Sequence, residues 1–294
     1  MKKIIPVILA GEVRPSLLRR QTGLLPLEIP LRPGWTNLDA WLKCLRASSI
    51  EHRTTVLVSS AHELRQLRSR EVHHNVDLMV DQRSHRGTGG ILADFRLAHR
   101  GVQAEDAAFL MIEGNCLAPP TLEPLVNEFH RTSAAIAFGT FSRDRLRGVC
   151  LVAESSLNLV PDVGFFDLKE QLVMAIRQSG GKVIGADLND PLLRLTSLSS
   201  LLEAIARISG EGPEYAREDV ILTADNCIHD IEWVGSGAGI VNSLLMPGVK
   251  VGDGAIVARS FVGSGVEIPP GQRVIDAVIA SPHVAGLSQR DALA

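Results

Sequence analysis

Three stretches carry residues whose types and spacing suit phosphate or nucleotide chemistry. In "VILAGEVRPS", residues 7 to 16, an apolar run breaks at Gly11 into a turn. Main-chain groups of such a turn can line a ligand crevice, with Leu9, Ala10 and Gly11 forming one wall. Gln82 precedes "GTGG", residues 87 to 90. Gly87 and Thr88 allow close backbone approach at a helix start, where free N–H groups favour anions. The third stretch, "FLMIEGN", is an apolar run that ends in polar residues at 113 to 115. Arg14, Arg19, Arg20 and Arg194 are the basic side chains that could meet a phosphate. Histidine offers less: His73 and His74 are adjacent, His229 and His283 are isolated, and none makes the i, i+4 pairing with Glu of a metalloenzyme.

The elements that must position these residues alternate in type. Candidate strands are Val7 to Ala10, Thr54 to Ser60, Val76 to Val80, Ala107 to Ile112 and Ala134 to Phe138. Helices with apolar residues at three- and four-residue spacing lie between them: Ala61 to Glu71, Gly90 to His99 and Leu122 to Arg131. Short apolar runs joined by amphipathic helices predict a mainly parallel α/β sheet. A polar stretch, "SGEGPEYARED" at 209 to 219, then interrupts. We expect an α/β domain over 1–208, a linker over 209–222 and a second domain over 223–288.

The second domain repeats itself. Residues 224 to 240, 241 to 257 and 258 to 274 align at an offset of 17. Three apolar columns emerge: Ile228, Leu245, Val262 and Ile279; Val234, Val251 and Ile268; Ile240, Val257 and Val274. Within a turn the steps are 6, 6 and 5 residues, with Gly235, Gly248, Gly252 and Gly265 at the corners. An aliphatic side chain returned inward at nearly every sixth residue is the signature of a β-helix of hexapeptide turns.

Composition narrows the partners. The chain has 294 residues, 45% of them hydrophobic and 4% aromatic, with a formal net charge of −3. That balance disfavours nucleic acid and anionic membrane surfaces, and so few aromatic rings make a stacking platform for single strands improbable. The apolar run near the N-terminus, interrupted by Pro6 and closed by Glu12, is too short for a signal peptide or a spanning helix, and a cytoplasmic protein is expected. Cys44, Cys116, Cys150 and Cys227 have no CxxC spacing, so buried free thiols are expected.

An α/β unit opening with VILAG and followed by hexapeptide turns resembles the sugar-1-phosphate nucleotidyltransferases, or NDP-sugar pyrophosphorylases. Their motifs run LAGGxGTRLxPLTxxxPKP, then Gln before a GT(A/G)G turn, a strand ending in NGD, and FDL with WxDIGTPEDYLEA late in the domain. Leu9, Ala10 and Gly11 fall on the first, Gln82 with 87 to 90 on the second and "FLMIEGN" on the third. "FFDLKEQL" and "LLRLTSLSSLLEA", residues 192 to 204, fall on the last. The resemblance implies a Rossmann-like nucleotidyltransferase domain followed by a short left-handed β-helix, a bound nucleotide or sugar nucleotide, and Mg²⁺ where the chemistry is active.

The resemblance is weakest where transfer chemistry needs charge. Glu12, Val13, Arg14, Pro15 and Ser16 replace GxGTR, so Pro15 lacks an N–H and Glu12 brings a carboxylate toward phosphate oxygens. The PKP lysine falls on Leu27, beside Glu28, and the two metal-binding aspartates fall on Asn115 and Arg194. An amide is a poor ligand for Mg²⁺ and a guanidinium is none. Arg14, Arg19 and Arg194 are the candidate substitutes, as fixed cations that bind without catalysing. We therefore expect a nucleotide-binding protein with weak or lost transfer activity and no cofactor of its own. It would work as a homo-oligomer paired through its coils, or beside an active paralogue. The alternatives are an active nucleotidyltransferase making NDP-sugar and pyrophosphate with Mg²⁺, and a hexapeptide-repeat acyltransferase using His229 or His283.

Overall fold

The structure is a computed structural model that describes residues 3–11, 14–68, 75–81, 83, 85–98, 107–141, 145–190, 193–208, 219–222 and 226–281. Contacts divide the chain into two compact units. One comprises Met1–Val13 with Ala40–Leu192, the other Arg14–Asp39 with Leu193–Ala294.

The first unit is built on seven strands: β1 (Lys3–Leu9), β2 (Thr54–Val58), β3 (Val76–Val80), β4 (Ala107–Glu113), β5 (Ile136–Phe141), β6 (Arg145–Ala153) and β7 (Val183–Asp187). The α-helices among the described residues of both units are α1 (Leu17–Thr22), α2 (Asn37–Ala47), α3 (Ala61–Arg68), α4 (Gly87–Ala98), α5 (Glu123–Thr132), α6 (Val173–Gln178) and α7 (Leu198–Ile208). The sheet order is 3-2-1-4-6-5-7. Only β6 runs antiparallel, inserted between β4 and β5. β1 and β4 read as continuous apolar runs because a central strand of a covered parallel sheet is buried on both faces. Pro6, which has no N–H to give, stands just before the β1–β2 ladder begins at Val7↔Thr55.

One face of the sheet presents Val7, Leu57, Phe109, Met111 and Cys150 to Leu92 and Phe95 of α4 and to Leu168, Leu172 and Ile176. Leu168 and Leu172 belong to a π-helical stretch, Leu168–Leu172, that runs on into α6, which carries Ile176. α5 packs against β5, β6 and β7. The predicted strands and helices all form, with ends shifted by a few residues. The predicted helix starting at Gly90 begins instead at Gly87.

The second unit contains three short parallel sheets. Strands 227–228, 244–245, 261–262 and 278–279 make one; 233–234, 250–251 and 267–268 make another; 221–222, 239–241, 256–258 and 273–275 make the third. The chain visits the three sheets in rotation, and Ile228↔Leu245↔Val262↔Ile279 and Val234↔Val251↔Ile268 pair at the predicted offset of 17. All three predicted columns are interior. The sequence reading places Ile221 and Leu222 in a linker; they pair with Gly239 and Ile240 as a strand of the third sheet. It also assigns 14–39 and 193–208 to the first domain, whereas both group with the coils. Leu18 N–H donates to Thr196 O at 3.0 Å, and α7 packs on the strand 30–32, which binds these segments together.

A fourth, polar column runs beside the apolar ones. Asn226 Oδ1 accepts from Ser243 N at 2.8 Å, Ser243 Oγ from Ser260 N at 3.1 Å, and Ser260 Oγ from Ala277 N at 3.1 Å. Three buried side chains thereby satisfy amides that the turns leave unpaired. The corner glycines serve two needs. Gly248 and Gly265 have φ of +74° and +69°, the left-handed region that favours glycine. Gly252 is there for space, since a Cβ would strike Pro270 of the next turn.

Candidate functional site

The connection from β3 through α4 crosses back over β1, so β4 lies on the far side of β1 from β2 and β3. This reversal makes the carboxyl ends of β1 and β4 the crevice where open α/β sheets take ligands. Gly114 N–H donates to Leu9 O at 2.9 Å, bringing Leu9, Ala10 and Gly11 beside Gly114 and Asn115. Ala10 N–H donates to Leu57 O at 2.8 Å and ties the same turn to β2. Neither glycine has slack: a Cβ on Gly11 would stand 2.9 Å from Ser59 Cβ, and one on Gly114 2.9 Å from Leu9 O. The turn is thus pinned on both sides, and two predicted motifs meet at one sheet edge.

The "GTGG" turn opens α4 as expected, with Gly87 at φ +71°. The amides of Gly89 and Gly90 are already engaged. Gly89 and Gly90 N–H groups both donate to Phe166 O at 3.0 Å, Thr88 Oγ1 donates to Asp167 Oδ2 at 3.0 Å, and Leu168 N–H donates to Thr88 Oγ1 at 3.1 Å. The helix start expected to hold an anion is capped by the chain's own 166–168 segment, because a carbonyl there satisfies the same orphan donors. Arg86 reinforces the arrangement: it is 5% exposed, bonds Asp94 through Nε at 3.0 Å and Pro161 O through Nη2 at 2.8 Å. Gln82 lies outside the described residues.

The predicted cations Arg14, Arg19 and Arg194 all group with the second unit. Arg14 is exposed, and Arg19 and Arg194 are half-buried. Ser16 caps α1, its Oγ accepting from Arg19 N at 3.3 Å. Leu27 is fully buried, and Glu28 turns inward to accept from Leu25 N at 2.9 Å. Glu12, Val13, His73, His74 and His283 lie outside the described residues. His229 Nε2 sits 3.5 Å from Cys227 Sγ, whose thiol burial pushes up to about 12, so this contact does not activate a nucleophile. All four cysteines are free and buried, as expected.

Two residues that sequence reasoning missed stand at the crevice. Glu113 ends β4 in register with Leu9, and its Oε1 accepts from Lys169 Nζ at 2.6 Å. Lys169 lies in "FFDLKEQL", but nothing local indicates that its ammonium returns to a strand end 56 residues earlier.

The residues that the resemblance sets at metal positions do not fit Mg²⁺. Asn115 offers a neutral amide whose Oδ1 takes a 3.6 Å contact from the Cys116 thiol, and the neighbouring Glu113 carboxylate is held by Lys169. Arg194 cannot be a ligand. Among the described residues, no three His, Cys, Asp or Glu side chains converge.

A separate cleft of about 270 Å³ runs between α4 and the ends of β2 and β3, lined by Leu57, Met79, Asp81, Ile91, Asp94 and Phe95 among others. Burial lifts the Asp81 carboxyl above its usual range, Asp94 adds to the rise, and the Arg83 N–H and the Arg86 charge oppose it. The folded chain therefore holds this proton more tightly than the unfolded one, and stability falls as pH rises through the range above the ordinary carboxylate value. Asp81→Asn is expected to melt slightly higher than the parent at neutral pH, by a few degrees at most. Thermal melts over a pH series should show that gap closing toward about pH 3, where the carboxyl is protonated in both states.

Set beside known proteins, the chain finds no match among protein-family models or curated proteins. The fold and site define a mainly parallel α/β sheet with its crevice at the ends of β1 and β4, joined in sequence to short parallel sheets of 17-residue repeats. Among the described residues no helix is long and apolar enough to cross a membrane.

Proposed function

We propose that this chain is a nucleotidyltransferase-like protein that binds a nucleotide or sugar nucleotide in the crevice between β1 and β4, with nucleotidyl transfer weak or lost. On this reading the first unit is a Rossmann-like domain of that class and the repeats form a short left-handed β-helix. The supporting observation is the Gly114 to Leu9 hydrogen bond, which joins the LAG and EGN stretches at the point where the strand order reverses. A ligand there meets main-chain groups and a turn too crowded to carry a side chain at position 11 or 114. Transfer requires cations fixed on the phosphates where charge develops. The positions that would supply a metal clamp and a leaving-group lysine hold an amide, a guanidinium and a buried leucine.

Thermal shift and calorimetry against nucleoside triphosphates and NDP-hexoses test the proposal. Binding to the native state raises the melting temperature, by about 2.7 kcal/mol of stabilisation at a hundredfold excess over Kd. Adding Mg²⁺ or EDTA is expected to change the affinity less than about twofold, since the donors at hand do not suit a hard cation. A chain that melts unchanged with every nucleotide refutes the binding, and robust Mg²⁺-dependent pyrophosphate release refutes the loss of transfer.

A further inference from the structure

We infer that Glu113 and Lys169 form a paired recognition element that selects a sugar nucleotide over a nucleoside triphosphate, an inference that rests on the nucleotide-binding reading above. The pair stands at the ligand edge of the sheet: Glu113 is the last residue of β4 and lies opposite Leu9 of β1. Its carboxylate and the Lys169 ammonium are 2.6 Å apart, with side chains 19% and 34% exposed, so both remain reachable from solvent.

Both groups are held in place. Lys169 comes from the first turn of the π-helical stretch, whose start is fixed by Asp167 Oδ1 accepting from Lys169 N at 2.8 Å and Glu170 N at 3.0 Å. Irregular π turns of this kind often mark functional positions. On the other side, Gly148 makes room for the carboxylate, since a Cβ there would lie 3.0 Å from Glu113 Oε2. The pair is part-buried, so a variant that removes one partner also costs stability, and the comparison of ligands in the parent chain carries the test.

The chemistry of the pair sets the preference. An ammonium has three N–H donors, so Lys169 can keep its bond to Glu113 and still donate to a phosphate oxygen. A carboxylate only accepts, and its lone pairs suit the hydroxyls of a sugar ring. Together they match a ligand that places hydroxyls next to a phosphate. A triphosphate brings more negative charge and no hydroxyl donors to the same spot. A triphosphate that draws the Lys169 ammonium to its own charge leaves the Glu113 carboxylate with less compensation and no hydroxyl donor, whereas a sugar ring gives that carboxylate donors of its own.

Titration calorimetry on the full chain without added metal, using UTP, GTP, UDP-glucose and GDP-mannose, decides the matter. For whichever base binds, the NDP-sugar is expected to bind at least about tenfold tighter than the triphosphate. Glu113→Gln should shrink that ratio severalfold by admitting the triphosphate and weakening the sugar contact. Lys169→Met should weaken both ligands about tenfold, while Lys169→Arg keeps the preference. Equal affinities in the parent chain, a comparison that needs no variant to fold, overturn this inference and leave the nucleotide site standing, as does a ratio unmoved in Glu113→Gln. Absence of binding by all four ligands overturns the nucleotide-binding reading and this inference with it.

Discussion

Val251→Asp is expected to unfold the repeat unit at temperatures where the rest of the chain still holds. Val251 has no exposed surface and pairs in register with Val234 on one side and Ile268 on the other. The column has no polar partner for a carboxylate, because its neighbours one turn away are aliphatic by the same 17-residue rule. An ionised group buried unpaired costs several kcal/mol even after its pKa has moved, and we expect a loss of about 4 kcal/mol or more. The turns stack only on their neighbours, so a break at the middle turn removes support from both sides. Calorimetry should show an early transition, and hydrogen exchange should place the lost protection in residues 226–281. Lys250→Gln is the control: its side chain is 42% exposed and reaches Glu232 at 3.1 Å, and its loss should cost no more than about 0.5 kcal/mol. Equal melting curves for Val251→Asp and Lys250→Gln would contradict the stacked-column account.

The repeats were legible because one rule is applied several times over. Each aliphatic column states its own register, and the pairing of Ile228, Leu245, Val262 and Ile279 follows from counting residues. The polar column of Asn226, Ser243 and Ser260 obeys the same count, yet polar residues at small spacing read as surface until a main-chain donor is seen to need them. In the sheet, the buried strands were visible from their unbroken apolar runs. β6 was harder to see, since "RLRGVCLVA" opens with charge and turns apolar only where it passes between β4 and β5.

The site divides along the same line. Leu9, Ala10, Gly11 and Asn115 end adjacent strands, so placing the strands placed them. What sequence could not supply were contacts made across long separations. Phe166 brings its carbonyl to Gly89 and Gly90 and so occupies amides that the turn alone leaves open. Lys169 reaches Glu113 from the same later segment. Arg14, Arg19 and Arg194 were read beside the motifs by their order in the chain, which does not say to which compact unit a residue belongs. They belong to the unit that contains the coils.

Crowding at Gly114 gives the sharpest test of the crevice. The residue has ordinary φ, so its glycine is demanded by space and not by backbone conformation. A methyl there would stand 2.9 Å from Leu9 O, 3.2 Å from Ala10 Cα and 3.4 Å from Ile8 Cγ2. Backbone atoms cannot rotate away as a flexible side chain can, so Gly114→Ala must push the ends of β1 and β4 apart and stretch the 2.9 Å bond between them. The expected cost is about 2 kcal/mol of stability, together with loss of most nucleotide-induced stabilisation, because the displaced atoms are the ones that wall the crevice. Destabilisation alone could mimic the second effect, and Ser48→Ala separates the two. Ser48 Oγ accepts from Leu122 N at 2.7 Å and donates to Cys44 O at 2.8 Å, so its removal leaves a buried donor unpaired at a cost of about 1–3 kcal/mol without touching β1 or β4. That variant should melt early and still shift upward with ligand as the parent does. If Gly114→Ala kept its full ligand shift, the ends of β1 and β4 would not be where the nucleotide binds.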